Sequence, residues 1–292
     1  MGTSSTLRPL LGAGEAFQDV VRSAPNRVCT GTSTSTSRGA VRGDRARIGS
    51  SRLRVRARSD AENAESAEVF QGQFGTWKVE KDDEREVFLY RLGLSVASAS
   101  FGLSGACLIL GLADRNALLN ALFVSGSAGF GVALWMIHIY LAPAKRFLQG
   151  LFLVGLLGIS AYTLRSDASD CANIAHCVSG HADSVWFVGP LFASITGVGF
   201  KEGVCYNKTE AFALAVLTPI LLLTHLSGLA DGSPIEAALL AAWIATFAAF
   251  ALGKFSQPVH EDIGDKSVFT FLKLTEEEQQ DFLRQRESGK TM

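Results

Sequence analysis

The chain has 292 residues, 48% of them hydrophobic and 19% charged, with a formal net charge of -1 and a mean hydropathy of +0.22. So apolar a composition excludes an ordinary set of soluble domains and points to a membrane protein. The near-zero charge conceals an asymmetry: residues 1–58 hold eleven Arg and no Lys against Glu15, Asp19 and Asp44, a balance of +8, which leaves -9 for the rest.

That Arg-rich, Ser/Thr-rich, acid-poor start, with no continuous apolar stretch, has the composition of an organellar transit peptide. The tract from Thr30 to Ser37 favours a plastid, and a cut near Val55-Arg56-Ala57-Arg58 would remove Cys29 with the rest. A basic arm for nucleic acid is the competing reading, and the membrane domain that follows weighs against it. Residues 59–91 read as an acidic linker (Asp60, Glu62, Glu65, Glu68) and a juxtamembrane helix capped by Asp82 or Asp83. Trp77, Phe88 and Tyr90 suit the headgroup level.

Residues 92–253 form the transmembrane domain, with six expected spans at 92–112, 117–141, 147–164, 184–200, 209–229 and 235–253. Each has about the 20 apolar residues that a helix needs to cross roughly 30 Å of hydrocarbon, the third and fourth being short. Basic residues cluster at alternate span ends: Lys78, Lys81, Arg85 and Arg91, then Lys145 and Arg146, then Lys201 and Lys208, then Lys254. The positive-inside bias puts both termini and the 142–146 and 201–208 loops on one side, the stroma in a plastid. Small residues at every fourth position, as in Ser125, Gly129, Ala133 and in Gly189, Ala193, Gly197, predict close helix packing. The polar tail 254–292 carries a short helix over 274–285, where Thr275 and Glu278 make a capping box and Phe282 and Leu283 a small apolar face.

The predicted fold is thus an all-α membrane protein: a six-transmembrane-helix bundle with a disordered N-terminal transit peptide and a short C-terminal stromal helix.

This topology gathers His138 and Tyr140, from the end of the second span, with Lys201, Glu202 and Cys205, from the end of the fourth. An ionisable residue at membrane depth is a functional candidate with a partner to be named; Lys201 with a nearby carboxylate, or Glu202 with His138, are the pairs considered. Adjacent residues on a helix point about 100° apart, so Lys201 and Glu202 need not bond each other. The plainer roles are snorkelling for Lys201 and a backbone hydrogen bond for His138. A haem between His138 and His225 is excluded by depth: the two lie near opposite ends of their spans, about 20 Å apart along the normal at about 1.5 Å per residue. His225 reads instead as a helix-to-helix hydrogen bond. In the loop 165–183, Cys171, His176, Cys177 and His181 lack the spacing of a zinc module, and a Cys171–Cys177 disulfide competes with a plain irregular loop. No phosphate-binding loop, nucleophile elbow, metalloprotease helix or haem-attachment motif occurs, so no cofactor and no catalytic or metal-binding residue is assigned.

Several segments together resemble an uncharacterised integral-membrane family of cyanobacteria and plastids, a domain of unknown function. They are Gln73-Phe-Gly75, the run from Glu86 to Leu94, Ile137-His138-Ile-Tyr140-Leu with Arg146-Phe-Leu-Gln149, Phe200-Lys201-Glu202-Gly203 with Cys205, and Leu222-Leu-Thr-His225-Leu226. The likeness covers about 71–253, and the loop around Cys171 and Cys177 stands apart from it. It implies a photosynthetic compartment and no biochemical activity.

Two functions fit. The first is a non-catalytic accessory factor for assembly or stability of a photosynthetic membrane complex, in the thylakoid rather than the inner envelope, with the bilayer and complex subunits as partners and nucleic acid excluded. The second is a small-solute or proton-coupled carrier using His138, Lys201 and Glu202. A carrier needs polar groups at several depths, whereas an accessory protein needs only a dry interior and exposed apolar grooves.

Overall fold

The computed structural model describes residues 68–166, 171–228 and 233–289. The transit peptide expected over 1–58 and the linker as far as residue 67 lie outside the described residues. The described chain opens with a departure from the all-α expectation, a two-residue turn between strands β1 (Val69–Gly72) and β2 (Gly75–Lys78), paired antiparallel. Such four-residue strands carry too little alternation to be read from sequence, and their stability comes from the cap that covers them.

Helix α1 (Lys81–Ile109) then runs unbroken through the juxtamembrane segment and the first span. Its cap residue is Glu80 rather than Asp82 or Asp83, and Asp83, in the first turn, bonds back to the Glu80 N–H. The other five spans are α2 (Asn116–Met136), α3 (Ala142–Arg165), α5 (Val185–Tyr206, entered through a 3₁₀ turn at Ala182–Ser184), α6 (Thr209–Ser227) and α7 (Pro234–Gly253). All six are long and apolar enough to cross a membrane. The second span stops at Met136, earlier than residue 141. Ile137 leaves the helix, and Pro143, which lacks a backbone N–H, suits the first turn of α3 instead. The fourth runs on to Tyr206, so Lys201 and Glu202 belong to a helix rather than to a loop.

The six spans close a ring in which α1 packs on α2 and α7, α5 on α3 and α6, and α6 on α7, with a lighter α2–α3 contact. Small residues permit the tightest approach, as the sequence rows suggested: a Cβ on Gly93 would stand 2.5 Å from the carbonyl oxygen of Gly129 and 2.9 Å from the nitrogen of Ala133. The interior is a continuous apolar core that includes Leu94, Phe130, Leu134, Leu191, Leu214 and Phe247. Two of its hydroxyls donate within their own helices, Ser194 to the Leu191 carbonyl and Thr218 to that of Leu214, whereas Ser100 bonds Ser125 across two helices and Ser127 Oγ is buried without a partner among the described residues. Thr218 also accepts from the Trp243 indole at 2.9 Å.

At one end of the ring sits a cap made of the hairpin and helices α8 (Val259–Ile263), α9 (Lys266–Leu272) and α10 (Glu276–Gly289). Asp265 fastens it. Its carboxylate accepts from the nitrogens of Gln73, at 2.5 Å, and Ser267, while its own N–H donates to the Tyr140 hydroxyl at 2.6 Å. Gly264, at φ +75°, must be glycine twice over, because a side chain there would strain the backbone and strike the Tyr140 hydroxyl. Phe74 stacks on Phe271 at 3.9 Å, with Phe282 at their edge, so the small apolar face of the last helix closes over the hairpin turn. The Thr275–Glu278 capping box is present.

The opposite end corrects the expectation of an irregular loop at 165–183. There α4 (Ile174–Gly180) is capped by Asn173, whose Oδ1 accepts from His176 N while its Nδ2 donates to the Ala113 carbonyl and to Asn116 Oδ1. Cys171 and Cys177 are joined in a disulfide, with Cys177 buried.

Candidate functional site

The site is built at the cap end of the ring, where α1, α5 and the end of α7 meet α8. Glu202 points from α5 into the interior and is 0% exposed. An isolated carboxylate there would be costly, and the surrounding sequence supplies its partners. Its Oε1 accepts from Lys201 Nζ at 2.8 Å and from the Tyr90 hydroxyl at 3.0 Å, and its Oε2 accepts from Lys254 Nζ. Lys254, at the end of the sixth span and also buried, donates in turn to Asp262 Oδ1 at 2.5 Å and to Gln257 Oε1 at 3.3 Å.

Asp262, from α8, completes the cluster by accepting from Arg91 Nε of α1 at 2.7 Å; the same guanidinium donates to the Gln257 carbonyl at 2.7 Å. Lys201 Nζ also stands 4.4 Å from the centre of the Tyr206 ring. Three cations thus surround two carboxylates, and three chain segments far apart in sequence, at 90–91, 201–202 and 254–262, are tied at one point. The amide nitrogen of Gln257 is buried with no partner among the described residues.

Of the residues singled out from sequence, Lys201 and Glu202 do bond each other. The 100° offset is bridged by the long lysine stem, which carries its ammonium over the Tyr206 ring. Glu202 does not pair with His138. His138 stands in the extended segment between α2 and α3 and faces Glu86 of α1 at 3.1 Å, with the Phe269 ring at its edge. Burial lowers its pKa from the ordinary histidine value, helped by Lys201 and Lys145 and opposed by Glu86. The Tyr140 pKa is raised, chiefly by burial. Cys205 is a free, exposed thiol.

The five residues therefore share one end of the bundle and do not line one pocket. Two clefts at this end, one in the cap beside Phe74 and Lys266 and one between α3, α5 and α6, are lined by none of His138, Lys201 and Glu202. Arg91, Lys254 and Asp262 were missed as site residues. In sequence the first two read as interfacial charge, and nothing shows that the tail folds back to supply Asp262.

His225 lies at the other end, bonded through Nδ1 to Glu236 Oε1 at 2.6 Å and through Nε2 to the Val178 carbonyl at 2.7 Å. It joins α6 to α7 and to α4, far from His138. Among the described residues no group of His, Cys, Asp and Glu could hold a metal ion.

A closed ring of six apolar helices, with a buried charge cluster at one end, defines a polytopic helical membrane protein. Residues 132–271, just under half of the chain, match the model of a family described as an uncharacterised integral membrane protein (DUF2301). The match starts within α2 and continues into α9, so the Gln73–Gly75 and Glu86–Leu94 motifs lie before it. No curated protein and no solved structure matches the chain.

Proposed function

We propose that the protein is a non-catalytic accessory factor of a plastid membrane, the thylakoid rather than the inner envelope, with both termini in the stroma, and that it aids assembly or stability of a photosynthetic membrane complex. The observation that carries this reading is the saturation of Glu202, whose carboxylate is fully buried and held by Lys201, Lys254 and Tyr90. A carrier site has to open to solvent and exchange its ligand, and breaking this buried set costs several kcal/mol. The apolar core between this cluster and His225, in which Ser194 and Thr218 bond carbonyls of their own helices, supports the same conclusion.

The compartment rests on the Arg-rich, acid-poor start of the sequence, on the positive residues at alternate span ends and on the likeness to a family of cyanobacteria and plastids. Gentle solubilisation of the membranes, a native gel of the tagged chain and identification of what migrates with it test the proposal. Migration with subunits of a photosynthetic complex is expected. Migration alone, together with solute uptake by liposomes that hold the purified protein, would replace it with the carrier reading.

A further inference from the structure

At the cap end of the bundle, on the face turned to the bilayer, α5 lies recessed between α3 and α6. The recess is an apolar groove of about 630 Å³, within the size range of small-molecule sites. Its floor is Ala193 and Gly197 of α5, with Leu148 of α3 as one wall. Leu148 reaches across only because residue 197 is glycine, since a Cβ there would overlap its methyl group. The rim is three aromatic rings, Phe147, Phe200 and Phe212, which are 65%, 57% and 49% exposed.

The groove is short. From Ala193 to Phe200 is about 10 Å at about 1.5 Å per residue, a third of what a partner helix crossing roughly 30 Å of hydrocarbon would present. The three rim rings would also hold a helix away from the floor, whereas a single flexible hydrocarbon chain passes between them.

Two basic residues adjoin the rim in the chain. Lys208, the extended residue that caps α6, accepts on its carbonyl from the Phe212 N–H, and its ammonium is 3.9 Å from Glu261 Oε2, beyond hydrogen-bond range and with its donors left over. Arg146 directly precedes Phe147, is exposed, and has no partner among the described residues. Two cations thus stand in the chain beside the rim residues Phe147 and Phe212, where an apolar slot meets the headgroup level.

We infer that this groove is a lipid site, taking one acyl chain of a membrane lipid whose anionic headgroup is drawn to Lys208 and Arg146. The inference is independent of the accessory role, because a carrier could hold the same lipid.

The test uses the full chain, purified in mild detergent and incubated with equal amounts of phosphatidylglycerol and phosphatidylcholine, with retained lipid counted by native mass spectrometry. About one phosphatidylglycerol per chain is expected, favoured about tenfold over phosphatidylcholine, since each basic residue near an anionic lipid contributes on the order of a tenfold preference or less. Ala193→Phe, which fills the groove, should abolish retention. The double variant Lys208→Gln with Arg146→Gln changes only exposed or half-exposed side chains, so it should keep the fold and lose the preference. Equal retention of the two lipids by the wild type, or unchanged phosphatidylglycerol retention in the double variant, would overturn the proposal.

Discussion

Lys254 reaches back from the end of the sixth span to the Glu202 carboxylate of the fourth, and the two side chains are 1% and 0% exposed. This pair ties the tail to the bundle, since Lys254 also holds Asp262 of the cap. Removing one partner of a buried pair leaves an uncompensated charge, at a cost of about 3–5 kcal/mol. Glu202→Gln should therefore lower the thermal midpoint of the purified protein markedly. Lys201→Met should lower it by much less, because Lys201 sits at the edge of the cluster and Lys254 still neutralises the carboxylate.

The contact of α1 with α2 depends on two glycines. Gly93→Val would push a side chain into the Gly129 carbonyl, which is backbone and cannot move aside. The expected result is loss of the folded protein, seen as aggregation in size-exclusion chromatography. Gly150→Ala, at a helix position with open space around it, should elute as the wild type does.

His138 sets an acid limit. Its folded pKa lies below the ordinary value of about 6.5, so at acid pH the unfolded chain binds a proton that the folded one resists. Stability is then full above about pH 6.5 and is lost as pH falls from there toward the folded pKa. The thermal midpoint of the wild type should fall over that window, and His138→Gln should flatten the fall.

At the far end, the Cys171–Cys177 disulfide closes a loop with a sequence separation of 6. A loop this short is worth about 2 kcal/mol in chain entropy. Cys171→Ser should lower the thermal midpoint and speed amide exchange in α4, which supplies the Val178 carbonyl to His225. The cap at the other end should keep its wild-type exchange.

The spans were legible because lipid imposes a length and a polarity on each of them, which window hydropathy reads directly. The helix-to-helix bond of His225 could also be anticipated, since a lone histidine near a span end needs a partner. The hairpin could not, because its two strands owe their stability to Asp265, Ser267 and Phe271, nearly two hundred residues downstream. The charge cluster was half legible. Lys201 and Glu202 stood out as charges ending an apolar run, while Arg91 and Lys254 matched the pattern of ordinary interfacial cations. Asp262 could be placed only once the tail was known to fold back.

Amide hydrogen exchange tests most directly that the cluster is a structural lock. Wild type and Glu202→Gln would be compared over 259–272, the part of the cap that Asp262 and Asp265 hold to the bundle. The account predicts much faster exchange there in the variant, with the middles of the spans unchanged. Unchanged exchange in that stretch would contradict it and leave Lys201 and Glu202 free to serve as a site for something that binds.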